Sequence, residues 1–253
     1  IIRIDIDPVE IHRVHHPSVE VVGDAAPVLT ALTERIERYN RKRISRKKEL
    51  DGLKAELRAE FGRTLGPQVA YLDAIRAELP EDGIFVEDLT QVGYVARFAF
   101  PTYNPRTFIT TGYQGTLGFG FATALGVKVA RPETPVVAVT GDGGFMYNIQ
   151  ELATAVLHGI SVVTVVFSDG AYGNVRRMQV EDHGSRIIAT DLHNPDFVKL
   201  AESFGAQGLR AATPNELRGA LRSGFDTPGP TLIEVPVDEM PSPWDYIFMR
   251  RAR

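Results

Sequence analysis

The sequence has no cysteine among its 253 residues. That excludes a disulfide framework, a thiolate nucleophile and a thiolate metal site. No apolar run is long enough to cross a membrane, and the first residues do not read as a signal peptide. Neither sign of charge dominates: 28 Lys and Arg stand against 32 Asp and Glu, a formal net charge of −4. This balance makes no general case for nucleic-acid binding. Internal repeats and low-complexity tracts are absent. The expectation is a cytoplasmic protein with neither nucleic acid nor membrane as partner. Its length suits one large or two small domains with a sizeable core. The chain opens inside a strand-like alternation, Ile1 to Ile6, and has no initiator Met, so it reads as the C-terminal part of a longer protein.

What is present is an α/β pattern. Ile1 to Ile6 and Val19 to Val22 read as small strands, followed by a helix from Pro27. Residues 1–38 are expected to be the remnant of a central α/β domain. Residues 39–63 form a charged linker, with a basic cluster at Arg41, Lys42, Arg43, Arg46, Lys47 and Lys48 that reads as a solvated helix. Residues 64–253 then alternate helix and strand. Helices are expected at Pro67 to Leu79, Thr90 to Phe98, from Gly115 to Ala130, Tyr147 to His158, Pro195 to Phe204 and Pro214 to Ser223. Strands are expected at Ile84 to Val86, Thr107 to Thr111, Val136 to Thr140, Val162 to Phe167, Gln207 to Arg210 and Thr231 to Val237. Gln179 to Asn194 reads as irregular. Such alternation predicts a parallel sheet with helices on both faces.

The chemistry concentrates between Val136 and Arg176. A β-branched run ends at Gly141-Asp142-Gly143-Gly144, a helix follows, and a second run ends at Ser168-Asp169-Gly170. A βαβ unit of this kind puts Asp142 and Asp169 at the carboxyl ends of neighbouring parallel strands, where ligands of open α/β sheets bind. Two carboxylates brought together repel unless a cation lies between them. Mg²⁺ suits oxygen ligands and keeps positions free for water and phosphate. Glycines allow close backbone approach, and free N–H groups at the start of the Tyr147 helix suit an anion. Either turn alone would be only a turn. Together they read as a Mg²⁺–diphosphate site.

These motifs resemble the thiamine diphosphate enzymes, in their acetolactate synthase-like branch. The GDG turn, a helix, a strand and an acid-containing turn with 27 positions from Asp142 to Asp169 are similar to that family's cofactor signature. Ile1 to Asp24, Gly115 to Gly126 and Asn194 to Ala201 resemble further segments of the branch, so nearly the whole chain is covered. The resemblance implies a thiamine diphosphate-binding fold. It implies that Asp142, Asp169 and the carbonyl of Ala171 hold Mg²⁺, although most members carry Asn where Asp169 stands. Gly143 and Gly144 would offer backbone N–H groups to the diphosphate, and Gly141, Tyr172 and Gly173 would also bind the cofactor. Thr116 and Leu117 would lie beneath the cofactor rings, with the Gly115 carbonyl accepting from its amino group. Plain core is the other reading of Leu117. Gln91 matches a phosphate-side Gln, in a loop that lacks the family's Gly and His. FAD stays open as a further ligand.

The implied activity is carbon–carbon bond cleavage or formation on 2-oxo acids or acyloins. The activating Glu is expected outside this chain, on a pyrimidine-binding domain, in a homodimer or homotetramer. Glu87 and Glu151 are therefore left without a catalytic role. A 2-hydroxyacyl lyase of the same superfamily and a non-catalytic regulatory or assembly paralogue stay open. A Rossmann dehydrogenase built on Gly118-Phe119-Gly120 is the structural rival, but it leaves Asp169 unexplained. The substrate is not readable. Met178 stands where acetolactate synthases usually carry Trp. Arg176 or Arg177 reads equally as a carboxylate partner and as a surface Arg on a helix. The aromatic, aperiodic segment Pro241 to Phe248 reads as a lid over the active site or as a segment that docks on a neighbouring subunit. His158, His183 and His193 fit no metal spacing.

Overall fold

The structure, a computed structural model, describes residues 1–36, 38, 39, 44–112 and 114–248. The chain forms two compact units, Ile1–Gly52 and Leu53–Arg253.

In the first unit, strands β1 (Ile2–Asp5) and β2 (Val19–Val22) pair in parallel, with Arg3 opposite Glu20. A single 3₁₀ turn, Glu10–His12, lies between them and buries Ile11. Helix α1 (Ala25–Ile36) starts where the Asp24 carboxylate accepts from the Ala26 N–H at 2.7 Å. Helix α2 (Lys47–Thr64) begins in this unit and runs on into the second; it buries no side chain, and Leu50, Leu53 and Leu57 are all exposed. Its first turn is salt-bridged, Arg46 to Glu49 and Lys47 to Asp51, as a solvated helix should be. The remainder of the expected basic cluster, Arg41 to Arg43, lies outside the described residues.

The second unit holds α3 (Gly66–Glu78), β3 (Ile84–Glu87), α4 (Gln91–Ala99), β4 (Phe108–Thr110) and α5 (Phe119–Ala130). There follow β5 (Val136–Gly141), α6 (Asp142–Phe145), α7 (Glu151–Leu157), β6 (Val163–Ser168) and α8 (Gly173–Glu181). The chain continues through α9 (Phe197–Phe204), β7 (Gln207–Arg210), α10 (Pro214–Asp226), β8 (Thr231–Pro236) and α11 (Trp244–Ile247). The six strands are all parallel in the order β4-β3-β5-β6-β8-β7.

Residues that alternate along each strand feed two cores, because side chains of a strand point to opposite faces. Phe85, Val137, Val139, Val165, Ile233 and Val235 pack with α3, α4 and α10. Ile84, Val86, Val136, Ala138, Val166 and Leu232 pack with α5, α7 and α9. Burial on both faces is why these strands read as unbroken apolar runs. The helix expected over Pro67 to Leu79 is α3, and it packs on the sheet through Val69, Leu72, Ile75 and Leu79, all buried.

Two expectations fail. The single helix over Tyr147 to His158 is instead a one-turn α6 that starts at Asp142, an irregular stretch, and α7. The break coincides with Asn148, whose side-chain amide donates to the Gly118 carbonyl at 2.6 Å. Phe145 is meanwhile held by Phe121 and Phe197. The second failure is α8, which takes in the start of the stretch read as irregular. Its sequence GNVRRMQVE buries no residue, so there is no apolar stripe to announce it.

Two glycines should respond oppositely to an added methyl. At Gly208 a Cβ would lie 2.5 Å from the Val198 carbonyl oxygen and 3.0 Å from its Cα. Gly208→Ala is expected to destabilise by about 1–3 kcal/mol through overpacking of α9 on β7. At Gly219, in α10, nothing lies within 4 Å. Gly219→Ala is expected to stabilise by roughly 0.5–1 kcal/mol. Urea denaturation of the two variants checks both signs.

Candidate functional site

The strand order places a switch point between β3 and β5. The chain steps from β3 outward to β4, then returns to the other side of β3 for β5. Crevices at such points, beyond the carboxyl ends of the strands, are where open α/β sheets bind ligands. A cleft of about 290 Å³ lies there, lined by residues that follow β3, β4, β5 and β6. It brings together Gln91, Gly115, Leu117, Gly141, Asp142, Gly143, Gly144, Asp169, Ala171, Tyr172 and Gly173. Of the residues expected in the site, Thr116 is not among the lining and is exposed.

Asp142 ends β5 and begins α6, and only 2% of its surface is exposed. Its Oδ1 accepts from the Gly143 N–H at 2.7 Å, so that amide is engaged within the turn. Its Oδ2 accepts from the Gly170 N–H at 2.8 Å and from the Asn194 side-chain amide at 2.6 Å. The helix start at the cleft is therefore that of α6, and not one at Tyr147. Asp169 follows β6. Its Oδ1 accepts from the Ala171 N–H at 3.2 Å and its Oδ2 from Gln91 Nε2 at 2.9 Å. Burial, and after it the charge of Asp142, push the Asp169 carboxyl above its ordinary value.

Asn194 reaches Asp142 because the chain doubles back. Residues 170–172 pair with 190–192 through Tyr172 N–H to the Thr190 carbonyl, 2.8 Å, and Leu192 N–H to the Gly170 carbonyl, 2.7 Å. Asn194 also donates to Ser168 Oγ at 3.1 Å, joining the ends of β5 and β6. Sequence reading noted Asn194 only within a family segment. Nothing at its position in the chain signals that it meets Asp142, 52 residues away.

Asp88 was missed as well. It is fully buried after β3 and accepts from the Leu89 N–H at 2.7 Å, the Gly120 N–H at 2.9 Å and Thr140 Oγ1 at 3.4 Å. It ties the end of β3 to the start of α5, next to the loop that carries Leu117. Burial raises its carboxyl above the ordinary value, against the pull of those donors. A Cβ on Gly120 would stand 2.8 Å from Asp88 Cβ, so the glycine is needed for this approach.

Gln91 lines the cleft, but its amide is shared. Besides Asp169 it donates to the Asp238 carbonyl at 3.3 Å, and its Oε1 accepts from the Met240 N–H at 2.6 Å. Leu117 is half-buried at the cleft wall, not in the core. Glu87 and Glu151 stay outside the lining. Glu87 is buried against Arg97 and Thr110, and Glu151 accepts from Thr154 on α7. A neighbouring groove of about 530 Å³ holds Arg176, Arg177 and Trp244. Arg177 stacks on Trp244 at 4.5 Å and pairs with Glu181; Arg176 pairs with Asp191. His158, His183 and His193 are exposed and outside both cavities.

Fold and cleft together define an α/β cofactor-binding domain of the thiamine pyrophosphate enzymes. The chain belongs to that family: its C-terminal TPP-binding domain model matches residues 88–235. The chain is 37% identical to the acetolactate synthase large subunit of Haemophilus influenzae over 94% of its length and 43% of the relative. It is 35% identical to a probable 2-ketoarginine decarboxylase of Pseudomonas aeruginosa, over 93% of this chain and 42% of that one. It is 32% identical to acetolactate synthase isozyme 2 large subunit of Escherichia coli, over 98% and 45%. The chain thus spans under half the length of these relatives. No helix among the described residues is long and apolar enough to cross a membrane.

Asp88→Ala should leave the Gly120 and Leu89 N–H groups without their acceptor. A loss of about 1–3 kcal/mol in denaturant unfolding is expected, the usual cost of an orphaned buried donor.

Proposed function

We propose that this chain is the cofactor-anchoring part of a thiamine diphosphate- and Mg²⁺-dependent enzyme. Its reaction breaks or makes a carbon–carbon bond on a 2-oxo acid or acyloin. The carrying observation is the pair Asp142 and Asp169 on one cleft at adjacent strand ends. Among the described residues no Arg, Lys or His forms an ion pair with either carboxylate. One buried and one half-buried carboxylate without a protein cation fit a hard divalent ion. No group of three or more His, Cys, Asp or Glu is set to hold a metal among those residues. The proposed ligands respect that: two carboxylates and the Ala171 carbonyl, with diphosphate and water completing the shell, as Mg²⁺ prefers.

In this reading Gly170 N–H and Asn194 hold the Asp142 carboxylate in place, and Gln91 does the same for Asp169. A carboxylate at position 169, where Asn is usual, adds a negative charge and with it a stronger demand for the cation. Gly141 and Gly144 bring backbone close to the diphosphate, and Leu117 and Gly115 support the rings. Bound thiamine diphosphate supplies a nucleophilic carbon and an electron sink. The proton-activating Glu, a pyrimidine-binding domain and a second subunit would come from outside this chain. The relatives carry both synthase and decarboxylase names, which supports the 2-oxo acid class and leaves the acceptor open. The mixed surroundings of Arg176 and Arg177 do not favour one substrate charge.

Calorimetry tests the anchor. Asp142→Ala should weaken Mg²⁺-dependent thiamine diphosphate binding by more than about a hundredfold. Asn194→Ala should weaken it by roughly 10–100-fold, as loss of an outer-shell partner does. Equal affinity in Asp142→Ala and wild type refutes the site. With the cofactor bound, the intact protein should release CO₂ from at least one member of a 2-oxo acid panel.

A further inference from the structure

The first unit carries a cluster that the proposed function does not use. His12 closes the 3₁₀ turn after β1, and His16 stands four residues on, directly before Pro17. Their Nδ1 atoms face each other at 3.3 Å, with ring centroids 5.4 Å apart and planes tilted by 43°. The other ring nitrogen of His12, Nε2, is 2.7 Å from Glu20 Oε2. Arg3 is Glu20's register partner on β1, yet the glutamate is turned to His12.

We propose that His12 and His16 form a two-imidazole chelate for a borderline transition-metal ion such as Zn²⁺, with Glu20 orienting His12. Two nitrogens bound tetrahedrally at ~2.0–2.1 Å stand roughly 3.3–3.4 Å apart, which is the spacing found here. Ligands at 90°, as in a square-planar centre with similar bonds, would stand about 2.8–3.0 Å apart. Ligating histidines commonly give their second N–H to a carboxylate, and Glu20 occupies that place on His12. When Glu20 accepts from Nε2–H, neutral His12 presents the lone pair of Nδ1 to His16. Without metal, His16 Nδ1–H donates to that lone pair. When the ion binds, His16 passes to its Nε2–H tautomer: the Nδ1 proton exchanges through solvent to Nε2, and both Nδ1 lone pairs face the metal with no net proton released.

The supports of the cluster are fixed. Ile11, next to His12, is 1% exposed and anchors the turn. Pro17 restricts the backbone of His16, and Glu20 sits in the β1–β2 ladder. The side chains themselves are open to solvent, His12 at 48% and Glu20 at 57% exposed, so an ion can enter. Because only two protein nitrogens converge, water fills the other positions. Imidazole ligands favour Zn²⁺, Co²⁺ and Ni²⁺ over Mg²⁺. The chelate would staple the 3₁₀ turn to the entry of β2, independently of the carboxylate cleft.

The test is titration of the intact protein with Zn²⁺ in excess Mg²⁺, followed by calorimetry, with Co²⁺ absorption reporting the ligand field. One equivalent is expected to bind, with a tetrahedral Co²⁺ spectrum. His12→Gln and His16→Gln should each weaken Zn²⁺ by at least about tenfold, and Glu20→Gln by roughly tenfold. Asp142→Asn should leave it unchanged. These are exposed positions, and circular dichroism verifies that the variants fold. Unchanged affinity in either histidine variant overturns the proposal. So does Zn²⁺ uptake that vanishes in Asp142→Asn.

Discussion

The Asp142 carboxylate is almost wholly removed from solvent at the end of β5, and a charge in that position must be met by donors or by a cation. Three donors meet it, and each comes from a different place in the chain: the next residue, the turn after β6, and Asn194 beyond the long loop. The geometry of the cleft depends on this convergence. It fixes the turn after β5 against the turn after β6. It draws the 190–192 segment onto 170–172, and sets Asp169 beside a like charge. Oδ2 accepts two of these bonds and Oδ1 one, so of about four carboxylate sites one stays free, on Oδ1. What the donors do not supply is a positive charge.

The parallel sheet makes such an arrangement possible. All six strands deliver their carboxyl ends to one edge, and the reversal between β3 and β5 opens a crevice there. Asp88 works on the β3 side of that crevice as Asp142 works on the β5 side. Its buried carboxylate gathers amides from the α5 start and its own loop. The two acids differ in surroundings. Asp88 sits among backbone N–H groups and a hydroxyl within one domain interior, as a structural anchor does. Asp142 and Asp169 line the cleft itself. Gln91 links the cleft to the segment after β8 through Met240, so the C-terminal residues and the Asp169 side chain share one amide.

The alternation of helix and strand in the second unit was legible because the inner strands β3, β5, β6 and β8 are largely apolar on both faces and α3, α4, α5 and α10 each bury apolar residues. The βαβ unit was legible for the same reason, and so were the positions of Asp142 and Asp169, since they directly follow β-branched runs. Eleven of the expected lining residues meet on the cleft because they cluster in four short segments that the sheet brings together. The failures have physical causes as well. Helix α8 buries nothing and so carries no apolar period. The helix after the GDG turn starts earlier and breaks, held by an Asn148 contact with Gly118 that lies 30 positions away. Thr116 stands beside two lining residues and is nonetheless exposed.

By itself, the amino-acid sequence determined the secondary structure of most of the second unit, its parallel sheet and the two acids at strand ends. Those properties are local: residue type and period decide them within a few turns of chain. Only the tertiary structure decided which groups surround the acids. Asn194 on Asp142, Gln91 between Asp169 and Met240, Asp88 on Gly120, and Glu20 on His12 all join separate elements. Hydrogen bonds of that kind depend on where the packed elements place each side chain, and no periodicity along the chain encodes it.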